Sequence, residues 1–160
     1  MSGTTYDDNN QHLDLPPLGF GAEFEADVQC AVTNTSPVLI TAPADVAAAV
    51  ARRIHRNSLN RRGSFLTVDC RRTQRPEQLI TVFDTAAPAG TVFLRDVDRL
   101  APALQELLFS RIVPLGVRII AGTSVSLLNA AATGAFDERL FYRLNQIHLV
   151  AQPGAATGAA

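Results

Sequence analysis

His55 and Ser58 lie three residues apart, a spacing that invites the reading of a base beside a nucleophilic hydroxyl. They sit in a polar, arginine-rich stretch, and a solvated helix end explains them more simply. His12 and His148 are remote from both and have no Cys or acidic companions at ligand spacing, so no metal site is expected. Cys30 and Cys70 are far apart among apolar neighbours and read as small core residues, not as a zinc or redox pair. All 14 basic residues are arginine. The absence of lysine excludes Schiff-base chemistry, a lysine general base and any phosphate loop that depends on its lysine.

The elements that would position such groups must come from a chain of 160 residues, 47% hydrophobic, with a formal charge of −1. That is enough for one domain with a real core. No apolar run approaches a bilayer span, and Met1–Gln11 is polar and acidic, so a cytoplasmic protein is expected with no membrane contact. Charge is uneven. Six acids and no arginine occupy residues 1–27, whereas Arg52, Arg53, Arg56, Arg61, Arg62, Arg71, Arg72 and Arg75 face the single Asp69 in the stretch they span. Residues 1–18 read as an acidic disordered segment and 151–160 as a disordered Ala/Gly tail, leaving one domain over 19–150.

Within that domain, short apolar β-type runs recur: Pro37–Thr41, Ser64–Val68, Thr91–Leu94, Val117–Ala121 and Gln146–Val150. Each is too short for a helix and suits a strand buried on both faces. Between them lie stretches with helical spacing, Glu23–Thr33, Asp45–Arg56, Pro76–Phe83 and Pro102–Ile112. Strand and helix in alternation predict an α/β three-layer sandwich around a five-stranded, mainly parallel sheet.

Pro37-Val-Leu-Ile-Thr41, Val50-Ala-Arg-Arg-Ile-His55 and Phe65-Leu-Thr-Val-Asp-Cys70 resemble the AAA+ domain of the bacterial sigma-54-dependent transcription activators. Gly90-Thr-Val-Phe-Leu94, Leu104-Gln-Glu-Leu-Leu108, Val117-Arg-Ile-Ile-Ala121 and Phe136–Asn145 (FDERLFYRLN) continue the likeness in the family's order, over about residues 19–150. The resemblance implies a P-loop NTPase-like core. It also implies a phosphate loop G-E-x-G-x-G-K-E after the first strand, where amides and a lysine hold the phosphates. Here that segment is Ala42-Pro-Ala-Asp-Val-Ala-Ala48, one residue shorter and free of glycine. Ala47 falls at the lysine position, and Asp45 is expected to occupy the free amides at the helix start.

The family's Asp-Glu pair after the third strand supports magnesium and orients water. Arg95 and Asp96 stand there instead, and Arg95 is expected to pair with Asp96, Asp98 or a nearby acid. Ser124 takes the place of the polar sensor, usually Asn. In the family pattern F-R-E-D-L-Y-Y-R-L-N the arginines reach a neighbouring subunit's nucleotide. Asp137 replaces the first, Arg139 replaces an acid and suggests a local ion pair, and Arg143 is retained. Only nineteen residues separate Cys70 from Gly90, without the GAFTGA insertion that contacts the sigma factor. An Ala/Gly tail follows Val150, so a core without the helical lid and without a DNA-binding helix-turn-helix is expected.

These departures predict a non-catalytic AAA+-like, sigma-54-interaction-type module with no cofactor and no catalytic residue. It would be tied to transcription or signalling through a protein partner, an AAA+ subunit or a signalling protein. The interaction candidates are Arg143, Arg139, Arg52, Arg56, Arg61 and Arg62. One alternative is a nucleic-acid-binding arginine patch. It ranks lower, because the net charge is −1, no aromatic residues are interleaved, and the acidic N-terminal segment can cover the patch. A residual ATP-binding transcription regulator is the other.

Overall fold

The computed structural model describes residues 21–112 and 116–151. Helix α1 (Gly21–Thr33) leads into β1 (Val38–Thr41), then α2 (Ala44–Asn57), β2 (Phe65–Asp69) and α3 (Pro76–Ala86). Strand β3 (Thr91–Arg95) runs through a 3-10 turn (Val97–Arg99) into α4 (Pro102–Ile112), β4 (Arg118–Thr123), α5 (Leu127–Ala132), α6 (Glu138–Leu144) and β5 (Ile147–Val150). The strands form one sheet in the order β2-β3-β4-β1-β5. All four pairings are parallel, so the mainly parallel sheet of the sequence reading is wholly so. Helical crossovers between successive strands permit this, since a tight hairpin would force antiparallel pairing.

Side chains along a strand alternate between faces, and each face has its own core. Val38, Ile40, Phe93, Ile120 and Leu149 pack beneath Phe24 and Val28 of α1 and Ala47, Val50 and Ile54 of α2. Leu39, Val92, Leu94, Ile119 and Ala121 pack against Leu79 and Phe83 of α3, Leu104 and Leu108 of α4, and Leu140 and Leu144 of α6. Each buried Val, Leu, Ile or Phe side chain among these contributes about 1.5–3 kcal/mol by leaving water. Strand β4 is buried throughout, but β2 and β5 are edge strands with exposed positions at Thr67, His148 and Val150. Burial on both faces therefore applies to the central strands alone.

Two short helices between β4 and β5 carry too few apolar positions to show a period. Their ends are set by capping: the Ser126 hydroxyl accepts from the Asn129 amide at 3.2 Å, and the Asp137 carboxylate accepts from the Arg139 and Leu140 amides. Cys70 is buried as expected, whereas Cys30 is exposed on α1. His55 and Ser58 correct the solvated-end reading, at 7% and 2% exposure. The His55 ring meets the Thr91 hydroxyl at 2.8 Å, and the Ser58 hydroxyl donates to the His55 carbonyl at 2.9 Å. The two side chains are turned to different partners and form no base–nucleophile pair. The expected disorder of the tails, and the chain beyond β5 where a lid would follow, fall outside the described residues.

Candidate functional site

In an open parallel sheet the crevice beyond the carboxyl ends of the strands is where ligands are held. Here that edge is formed by Thr41 and Ala42 at the end of β1, Asp69 and Cys70 at the end of β2, Arg95 and Asp96 at the end of β3, and Thr123 and Ser124 at the end of β4. Only Ala42 and Pro43 separate β1 from α2. The Ala42 amide is taken by the Thr123 carbonyl at 2.9 Å, Pro43 has no amide hydrogen, and the Ala47 amide donates to the Pro43 carbonyl at 2.9 Å. The helix thus begins at once, with its first turn against the sheet and no loop of free amides before it.

Ala47 is 2% exposed. It lies so close over β4 that a Cβ on Gly122 would meet the Ala47 methyl, and the Phe93 ring beside it, at 3.1 Å. Ala48 is half-buried alongside. Asp45 lies in the first turn of α2, as expected, but it is exposed and its carboxylate makes no hydrogen bond to the helix amides among the described residues. The expectation that it fills the anion position is therefore corrected: its influence is limited to the helix dipole.

Asp96 adopts left-handed backbone (φ 54°, ψ 54°), a conformation that Asp tolerates better than most residues. Its carboxylate faces Arg71 Nε at 3.7 Å, and the same Nε lies 3.8 Å from Asp69. Arg71, and not Arg95, is the cation of this cluster. Among the described residues the Arg95 side chain has no ion pair, which corrects the expected pairing with Asp96 or Asp98. Asp98 instead accepts a hydrogen bond from the Thr123 hydroxyl at 2.8 Å. Ser124, the sensor-like position, is exposed, while its neighbour Thr123 is buried and ties β4 to the turn after β3. Burial, then the charges of Asp69, Asp96 and Asp98, push the Cys70 thiol up, so it stays protonated.

The arginines do not converge. Arg53 pairs with Glu25 of α1, Arg52 lies over the Phe65 ring at 5.4 Å, and Arg61 donates to the Ser58 carbonyl at 3.3 Å. Arg56 is half-buried on α2 and Arg62 is exposed in the turn that follows. Arg71 and Arg72 face Asp69 at the other end of β2, about 16 Å away along a five-residue strand. The Glu25 contact is the part of the acidic-segment expectation that falls within the described residues.

On α6, Arg139 donates to Asp137 at 3.0 Å and to Glu106 of α4 at 2.6 Å, with its guanidinium 4.6 Å from the Phe109 ring centroid. This is the local ion pair anticipated from the exchange of signs. The hydrogen bond from Arg139 holds the Asp137 carboxyl below the usual range. Arg143 is exposed, 5.3 Å from the same ring, and makes no ion pair among the described residues.

Sequence reasoning passed over Arg118, the only charged residue of β4, which is 3% exposed. Its Nε donates to the Ser36 carbonyl at 3.0 Å and its Nη2 to the Ala31 carbonyl at 2.7 Å, while Nη1 has no partner. Burial pushes its pKa down to about 10. A charged residue at the start of an otherwise apolar strand was the available signal.

Burial also lowers the pKa of His55, helped by the charge of Arg118 and partly offset by a hydrogen bond with the Gly63 backbone; His148 is exposed as a residue, and partial desolvation of its ring lowers its pKa in the same direction. The folded state therefore prefers neutral imidazoles. Between the usual value of 6.5 and the lower folded values the unfolded chain binds more protons, so stability is lost as the pH falls through that window. The midpoint of thermal unfolding should be a few degrees lower at about pH 5.5 than at about pH 7.5. An unchanged midpoint would contradict this account.

No described helix is long and apolar enough to cross a membrane. The model of the sigma-54 interaction domain family matches residues 22–153. The regulatory protein AtoC of Escherichia coli is 33% identical over 136 residues, covering 65% of this chain and 29% of AtoC. The chain thus spans less than a third of that relative's length. NtrX from Brucella abortus has the same fold, with a TM-score of 0.71 and 23% identity over 92% of this chain and 41% of that one. So has the P-loop NTPase domain of an E. coli sigma-54 transport activator, with a TM-score of 0.65 and 21% identity over 82% of this chain and 93% of that one. With the strand order, the ordered sequence blocks and the family match in agreement, the chain belongs to the sigma-54 interaction domain family of transcriptional activators.

Proposed function

We propose that this chain is a regulatory AAA+-like domain that acts by binding another protein and does not hydrolyse ATP. The observation that carries the reading is the junction of β1 and α2, where two residues replace a phosphate loop and Ala47 is packed against Gly122 and Phe93. A triphosphate needs amides and a cation around its oxygens. Here the Ala42 amide is engaged, Pro43 has none, and the lysine position is a buried methyl. The ends of the neighbouring strands argue the same way. Arg95 stands where magnesium would need a carboxylate, and a like-charge contact at 4 Å opposes binding by on the order of 4 kcal/mol near a protein surface. The residues present do not fit nucleotide and metal.

The connection from β2 to β3 is described throughout and consists of a turn and the single helix α3, so the reading does not rest on a sigma-factor loop. The partner class it favours is an AAA+ subunit or signalling protein docking beside α6, where Arg143 is exposed and free of ion pairs among the described residues. Retained ATP binding is the alternative. Isothermal titration with Mg–ATP, paired with a phosphate-release assay, separates the two. No saturable heat at millimolar nucleotide and no turnover are expected; micromolar affinity or measurable hydrolysis would sink the proposal.

A further inference from the structure

At the opposite, amino-terminal edge of the sheet a cleft of about 650 Å³ opens between the starts of β1, β4 and β5. Thr35, Ser36, Asn60, Arg118, Arg143 and Gln146 contribute its polar lining and Val117 and Ile119 part of its apolar lining, and no Asp or Glu among the described residues takes part. The size is that of a site for a small molecule. Two cations therefore share one concave surface without a counter-charge among the described residues that line it. The carboxyl end of α1 takes part of the Arg118 charge through the Ala31 carbonyl, yet Nη1 remains unpaired. A guanidinium carries five N–H donors, and a buried donor without a partner is unfavourable. The adjacent His55 ring, kept neutral by burial and by the charge of Arg118, offers no negative group either.

We propose that this cleft is a binding site for a small organic anion carrying a carboxylate or phosphate group. Its oxygens meet the exposed Arg143 and the hydroxyls of Thr35 and Ser36 directly. Nη1 of Arg118 is enclosed, so Arg118 acts on the anion through its charge. The apolar wall of Val117 and Ile119 takes the carbon portion of the ligand. Because the cleft borders the segment after α1 and the start of β5, occupancy would couple a metabolite's concentration to the surface around α6. The site is independent of the β1–α2 junction and of whether nucleotide binds there.

The test titrates the full chain with inorganic phosphate and, separately, succinate at constant ionic strength. The backbone amides of Ser36, Asn60, Gln146 and Ala47 and the Arg118 Nε–H are followed by NMR. Saturable shifts in the millimolar range or below are expected at every probe but Ala47, and the tighter arm tells phosphoryl from carboxylate ligands. The exposed Arg143→Gln, which leaves the core untouched, should weaken binding about tenfold, the loss of one charged hydrogen-bonding partner. Linear, unsaturable shifts in both arms, shifts centred on Ala47, or unchanged affinity in Arg143→Gln would each overturn the proposal. Mg–ATP binding at Ala47 would sink the preceding proposal and leave this one standing.

Discussion

Ala47→Lys is expected to destabilise the protein by about 3–5 kcal/mol and to restore no affinity for Mg–ATP. In a phosphate loop the lysine projects into an open anion site. Here residue 47 is 2% exposed and lies against β4, where even a methyl group on Gly122 would come to 3.1 Å of it. The added methylene carbons overpack this contact by about 1–3 kcal/mol, and an ammonium drawn into it without a partner adds a desolvation cost of several kcal/mol that snorkelling only partly relieves. Restoring the charge does not restore the loop, since α2 still starts at Ala44. Urea denaturation compares the variant with the parent chain, and titration with Mg–ATP completes the experiment. A variant of undiminished stability that binds nucleotide would show that the helix can withdraw from the sheet and that the site is latent rather than lost.

Arg118→Met is expected to cost about 2–4 kcal/mol. The substitution keeps an unbranched apolar stem of similar reach but removes both donors to the backbone, leaving the Ala31 and Ser36 carbonyls without their partner. Each unsatisfied buried acceptor costs about 1–3 kcal/mol, partly regained because the desolvated guanidinium is gone. Arg118→Lys should recover a fraction, since one ammonium cannot span two carbonyls as the planar fork does. Denaturant midpoints measure both variants, and hydrogen exchange at the end of α1 localises the effect. If the Arg118→Met variant unfolds with the parent's midpoint, the end of α1 is held by apolar packing alone.

The strands were legible as short apolar runs because β1, β3 and β4 are covered on both faces, and their positions in the structure agree to within a residue or two. The edge strands were legible for a different reason, their bounding turn and charged residues, and their exposed faces were not. Helices α1 to α4 showed their apolar spacing, whereas α5 and α6 span six and seven residues, fewer than two helical periods. Asp137 and Ser126 could have marked their starts, since both are residues that cap.

The candidate site divides along the same line. That the segment between β1 and α2 holds no lysine or glycine, and that β3 runs into Arg95 and Asp96 where the resemblance implies an Asp-Glu pair, are matters of residue identity and were legible in the sequence. Which side chain neutralises which was not. Arg71, from the turn after β2, faces Asp96, and Thr123 takes Asp98, because parallel pairing of β2, β3 and β4 brings their carboxyl ends together. The eight arginines, one cluster by spacing, are parted by the length of β2. The sequence alone determined the family likeness, the layered α/β order and the missing lysine, since local composition and hydrophobic pattern carry all three. Only the tertiary structure decided that the empty position is filled by a packed methyl, and that Arg118 and Arg143 share a cleft. Contacts between residues distant in sequence depend on sheet order and register, which no local pattern encodes.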